Sequence, residues 1–189
     1  MSNEVSKQPE RRGGHPEMRV SVTMERREIV HRQWTRDEWD VVKVMVGSEP
    51  ADDAYSSTVV HRDETREQVL WTGLRVTLYR DFCEMYWHNL VSGKPRLFVV
   101  CHLHEDEDGR EQLRPVLITL NQEEANGHLE TDNPVFSVPI PQSVLEWLEK
   151  FVMDNYVPEA RRKRKRTDWS ESVLNHEKTP HDPSGGIRH

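Results

Sequence analysis

The sequence predicts an α+β fold: a single domain with a mostly antiparallel sheet and two main helices packed on one of its faces. Three observations carry this expectation. Several segments alternate apolar and polar residues, the two-residue period of a half-buried strand. The links between them are short and rich in turn residues, as antiparallel neighbours require. Two further segments carry apolar residues at helical spacing and supply a covering layer for the sheet.

In "MRVSVTMER" Val20, Val22 and Met24 alternate with Arg19, Ser21 and Thr23, which predicts a strand with one buried face. "DVVKVMVG" repeats the pattern at Val42, Val44 and Val46, and Gly47 closes it. Trp34 and Trp39 flank a polar connection between the two, where large rings anchor loops onto a core. Residues 47–57 have the Gly, Pro, Asp and Ser content of a loop, and "STVVHRDE" reads as a short edge strand. "VLWTGLRVTLY" alternates at Leu74, Val76 and Leu78 and reads as a strand.

"DFCEMYWHNLVSG" places Phe82, Met85, Tyr86, Asn89 and Leu90 at helical spacing, with Asp81 as the expected cap and Gly93 just past the end. "PRLFVVCHL" and "RPVLITL" are apolar runs joined across Asp108-Gly109, a hairpin signal. Asn121 with Glu124 resembles a capping box for a short helix that Gly127 ends. "PIPQSVLEWLEKFVMDNYVP" carries Val144, Leu145, Leu148, Phe151 and Val152 on one stripe; Pro141 suits its start and Pro158 blocks its continuation.

Residues 1–17 are polar and without hydrophobic period, so they read as a disordered lead to a domain over 18–158. Residues 159–189 read as a tail, first basic and then polar. The chain has 189 residues and a formal net charge of −7; without the six cations of residues 161–166 the remainder carries −13. An acidic body is a poor nucleic-acid surface, because backbone binding neutralises phosphates with Lys and Arg. The two cysteines, Cys83 and Cys101, and the absence of an export signal or membrane-length apolar run predict a cytoplasmic protein with no membrane insertion.

No motif carries catalysis, and no catalytic residue, cofactor or metal is assigned. Cys101, His102 and His104 are metal-ligand types, yet on a strand the two imidazoles point to one face and the thiol to the other. Cys83 and His88 lie about 500° apart on a helix, which sets them apart as nucleophile and base. The acidic run at residues 105–108 lacks calcium-loop spacing and reads as a soluble hairpin tip. In "MERRE", Arg26 and Arg27 suit either an anion clamp or ordinary surface ion pairs. Trp71, Trp87 and Trp147 read as core residues more readily than as interface residues.

The segments "VSVTMERRE", "LWTGLRVTLYRDFCEMYWHNLVSGKPRLFVV", "RPVLITLNQEEA" and "VFSVPIPQSVLEWLEKFVMDNYVPEARRKRKR" occur in this order. Together the chain resembles the bacterial domain-of-unknown-function family numbered 3305 over about residues 20–166. Ile140 stands where that family commonly has methionine, and the last 23 residues lie outside the resemblance. The family brings no catalytic residues with it. Its members are often encoded beside molybdenum-dependent formate dehydrogenase, and some carry names linked to molybdopterin-guanine dinucleotide, so the resemblance implies a context rather than a chemistry.

The leading expectation is therefore a non-catalytic accessory or small-subunit protein that binds and assists a larger cytoplasmic oxidoreductase, a molybdenum-dependent formate dehydrogenase being the implied partner. The candidate partner-binding residues are Arg26, Arg27, Trp34 and Arg80, with Arg161, Arg162, Lys163, Arg164, Lys165 and Arg166 as a docking strip for an acidic surface. Two alternatives stand beside it. One is a nucleotide- or molybdopterin-handling protein using Arg26, Arg27 and Arg80 on phosphates, against which the missing glycine-rich loop counts. The other is nucleic-acid binding through residues 161–166.

Overall fold

A computed structural model describes residues 14–32, 34–47, 54–105, 109 and 111–157. Its strands are β1 (Glu17–His31), β2 (Trp34–Val46), β3 (Ser56–Arg62), β4 (Arg66–Thr77), β5 (Arg96–Glu105), β6 (Glu111–Thr119) and β7 (Val135–Pro139). The helices are α1 (Cys83–Val91), α2 (Gln122–Leu129) and α3 (Gln142–Asn155), and a 3₁₀ turn, Arg80–Phe82, leads into α1.

All seven strands belong to one sheet, in the order β2-β1-β4-β6-β5-β7, with β3 also paired to β4. The ladders are antiparallel except β4–β6, which run parallel and meet at Val76 and Ile118. The two ends of the order approach one another: Val41–Val44 of β2 and Val138–Pro141, at and after the end of β7, line a common seam without a ladder between them. The sheet thus curls into a nearly closed barrel. The α+β, mostly sheet character follows the expectation.

Curvature explains why β1 is buried from Val20 to Glu25 without alternation. Val20, Val22 and Met24 enter the core, while Ser21, Thr23 and Glu25 on the opposite face are also covered, with Glu25 only 3% exposed. Two bulges set the curvature. Opposite Val20–Val22, β4 carries an extra residue at Thr72-Gly73, where Gly73 has φ +77°; a Cβ there would lie 2.6 Å from the Ala54 carbonyl oxygen, so only glycine fits. Opposite Thr23–Met24, Val42 is the extra residue of β2. That insertion resets the strand's phase: Val41 and Val44 turn inward, whereas Val42 and Val46, expected inside, are exposed.

Helix α3 buries Val144, Leu148, Phe151 and Val152 of the expected stripe, with Leu145 half-buried. Helix α1 buries Cys83, Tyr86 and Asn89. Asn89 is the joint between helix and sheet: its Nδ2 donates to the carbonyls of Arg96 (2.7 Å) and Leu120 (2.9 Å), and its Oδ1 accepts from Arg96 N (2.9 Å). A buried amide so fully satisfied fixes the angle of α1 against β5. Tyr86 lies beneath it, its hydroxyl accepting from Tyr79 N, and burial pushes its pKa up to about 12.

Several local expectations are corrected. Phe82, not Asp81, occupies the cap position of α1, and no side chain caps it, because the 3₁₀ turn carries the chain in. Asn121 does cap α2 by accepting from Glu123 N, but the helix runs past Gly127 to Leu129. Trp34 and Trp39 belong to β2 rather than to a loop. Residues Gly14–Glu17, expected in the disordered lead, are tied to the domain by Leu78 N donating to Pro16 O and by the His15–Tyr79 ring contact at 4.5 Å, and Glu17 opens β1.

Candidate partner-binding site

The outer halves of β1 and β2 leave the barrel as a hairpin arm flanked by β4 and β3. Arg26 and Arg27 sit at its base on opposite faces of β1, as successive strand residues must. Arg26 bridges Asp37 of β2 and Glu67 of β4, each at 3.2 Å. Arg27 pairs with Glu25 on the other face. The anion clamp is therefore not formed: each guanidinium is engaged by a carboxylate of the same chain, and the reading as surface ion pairs is the one the geometry follows.

Glu25 is the centre of this arrangement. Its carboxylate accepts from Gln68 Nε2 at 2.6 Å and from Arg27, with the Arg66 guanidinium 3.8 Å away. The Gln68 hydrogen bond is the largest influence holding the carboxyl below its ordinary range, and the two arginines add to it against the cost of burial. On the other face Glu67 also receives Arg62, so four strands are stitched together by side-chain ion pairs where the apolar core ends.

At the tip, Trp34 is 51% exposed. His31 stacks on it with ring centroids 5.4 Å apart, and the Arg36 guanidinium lies 5.9 Å from its ring centre. Register explains the cluster: His31 faces Trp34 across the hairpin, and Arg36 lies two residues further along β2 on the same side. On the reverse face Val30 is 66% exposed.

Arg80 lies elsewhere. Arg26 and Arg27 stand opposite Glu67 and Arg66 at the start of β4, whereas Arg80 follows the strand's end at Thr77. Eleven residue steps of strand separate the two ends by about 35 Å. The three arginines therefore cannot share a phosphate group, which corrects their joint assignment. Arg80 lines a groove of about 530 Å³ with His15, Tyr79, Asp81, Phe151 and Asn155, and it has no ion pair among the described residues.

The histidines of β5 behave as strand geometry requires. Cys101 is fully buried, and burial pushes its thiol up to about 12; His102 and His104 are exposed beside Tyr55 and Arg114 in a shallow cleft of about 360 Å³. Among the described residues no three His, Cys, Asp or Glu side chains are grouped to hold a metal. Cys83 is buried with its pKa raised by desolvation, while His88 is exposed and faces Glu84 at 3.7 Å, so these two do not form a thiol–imidazole pair. Trp71 is a core residue, and Trp87 and Trp147 are partly buried against the core.

The family model described as "Protein of unknown function (DUF3305)" matches residues 19–165. The chain belongs to this family. No curated protein and no solved structure matches it. The DUF3305 match includes the whole hairpin arm, Arg80 and residues 161–165 of the basic run. Arg161, Arg162, Lys163, Arg164, Lys165 and Arg166 lie outside the described residues. Among the described residues no helix is long and apolar enough to cross a membrane.

Sequence reasoning missed Glu25, Gln68, Arg66, Glu67, Asp37 and Arg62. Their signal is charge alternation on strands that pair, and it becomes readable only when the register is known.

Proposed function

We propose that this member of the DUF3305 family is a non-catalytic accessory or small-subunit protein that binds and assists a larger oxidoreductase, a molybdenum-dependent formate dehydrogenase being the partner implied by the family resemblance. The observation that supports this reading is Trp34, half-exposed at the end of a projecting hairpin and flanked by His31 and Arg36. A Trp with an adjacent Arg is the composition that dominates binding hot spots, and a hairpin stiffened by ion pairs loses little freedom when it docks. The single measurement is capture from the native cell by tagged full-length protein, with Trp34→Ala alongside. A redox-enzyme subunit should come down with the wild type and fall about 30-fold in the variant, the loss of about 2 kcal/mol that a hot-spot residue carries. Recovery of no such subunit, or equal recovery by both proteins, removes the reading.

A nucleotide- or molybdopterin-handling role now rests on Arg80 and its groove alone, and a cytoplasmic setting belongs to the same proposal as the partner.

A further inference from the structure

We infer that the outer face of the β5–β6 hairpin is a binding site for a small phosphate monoester, held by Arg114, His102 and His104 with its organic part against Tyr55. This goes beyond the accessory reading and does not depend on it. The site shares no residue with the Arg80 groove or with the β1–β2 arm.

The ladder places the donors. His102 stands directly opposite Arg114, and His104 opposite Gln112, so four side chains that carry N–H groups share one face of two strands. The next pair, Glu105 and Glu111, falls on the other face by the same alternation. Among the described residues no carboxylate lines the cleft that Arg114 and the two histidines border. This sets Arg114 apart on a chain of net charge −7: Arg26, Arg27, Arg62, Arg66 and Arg75 each face a carboxylate, whereas Arg114 has none among the described residues.

Arg114 is fixed by other means. Its guanidinium lies over the Tyr55 ring, 4.5 Å from the centre. Tyr55 is itself anchored by its hydroxyl, which donates to Pro115 O at 2.8 Å, and by its ring contact at 5.4 Å with the buried Trp71. A cation held by an aromatic ring, without a counter-charge, is preorganised for an anion from outside.

Spacing chooses among the anions. The donors stand about 4.8 Å apart across the ladder and about 6.8 Å apart along each strand. A carboxylate offers two oxygens to one side and is satisfied by a guanidinium alone, whereas a phosphate monoester offers three acceptor oxygens in different directions and reaches Arg114 and both imidazoles. A divalent metal, which two imidazoles can chelate, is opposed by the Arg114 charge facing His102 and finds no third ligand among the described residues. A nucleic acid would meet the acidic body of the chain. Tyr55, with Leu103 56% and Val116 40% exposed at the walls of the cleft, gives the organic part of a small ester its apolar contact.

Titration of the full chain with phenyl phosphate, followed by NMR, tests the proposal. The ring signals of His102 and His104 and the side-chain signal of Arg114 should shift together and saturate. Arg114→Gln should weaken binding about tenfold or more, the loss expected for hydrogen bonds to a charged group, with amide signals remote from the cleft unchanged. His102→Asn, which leaves the Arg114–Tyr55 contact in place, should weaken it as well. Inorganic phosphate and benzoate, titrated separately, should both bind more weakly than phenyl phosphate. Shifts that do not saturate, shifts centred away from the cleft, or equal binding by both folded variants overturn the proposal. Inorganic phosphate that binds as tightly overturns the ester, and benzoate that binds as tightly overturns the phosphate. Trp34→Ala should leave the titration unchanged, which separates this result from the fate of the accessory reading.

Discussion

The two halves of strand β1 solve the same pairing problem with opposite chemistry. From Val20 to Met24 it lies between β2 and β4, as it still does from Glu25 to Arg27, beyond which only β2 pairs with it. In the first half the side chains on the inner face enter a closed apolar core. In the second there is no core to enter, and cross-strand ion pairs take over. Hydrophobic burial is worth roughly 25 cal/mol per Å² and needs no particular partner, whereas exposed ion pairs are worth about 1 kcal/mol or less each and depend on geometry. The barrel end therefore carries stability, and the arm carries shape: a surface held in place while its tip stays available.

Substitutions along β1 and β2 break that comparison in order of expected effect. Met24→Ala removes a side chain with no solvent exposure from the barrel half and should cost about 2–5 kcal/mol in denaturant unfolding. Glu25→Ala, one residue on, should cost about 1–3 kcal/mol, because Gln68 loses its acceptor and Arg27 and Arg66 lose their shared carboxylate. Since Glu25 has its folded-state pKa lowered, its contribution is complete above the unfolded carboxyl value and is lost as pH falls through the folded one. The gap in stability between wild type and variant should accordingly close on acidification below about pH 4, the unfolded glutamate value. Trp34→Ala at the tip should change stability by less than about 0.5 kcal/mol. A cost at Trp34 comparable to that at Met24 would show that the arm is a second core rather than a presented surface.

Much of the architecture was legible because it rests on local signals. The stripe Val144, Leu148, Phe151, Val152 is a 3.6-residue period that nothing elsewhere in the chain alters, and α3 follows it. The β5–β6 hairpin and the β3 edge strand follow equally local turn and composition cues. Strand β7 was missed because "VFSVP" is short, contains Pro139 and acquires its strand conformation from pairing with β5. The inward set of β2 was misread because the single extra residue Val42 inverts the alternation, and a bulge is fixed by the partner strand rather than by the strand's own sequence. Of the candidate residues, Trp34 was named from residue type alone, and its exposure became readable only with its place in β2. The roles of Arg26 and Arg27 were settled by Asp37, Glu67 and Glu25, whose proximity depends on two ladders. Arg80 parted from them because chain order says nothing about which end of a long strand a residue meets.

The parallel meeting of Val76 with Ile118 has a consequence for how the barrel closes. It joins two groups of strands, β3-β4-β1-β2 and β6-β5-β7, whose internal ladders are all antiparallel. Within the groups, β1–β2, β3–β4 and β5–β6 meet across short turns, while β1–β4 and β5–β7 first meet at Arg27–Arg66 and Val100–Val135, 39 and 35 positions apart. The junction brings together residues 42 positions apart, and closing a loop of that length costs about 2 kcal/mol more in chain entropy than closing one of four residues. Helix α1 and strand β5 lie inside that loop, so Asn89, by tying the helix to Arg96 and Leu120, shortens the span that has to be searched. A buried amide in a helix thus sets the effective length of the chain's widest closure.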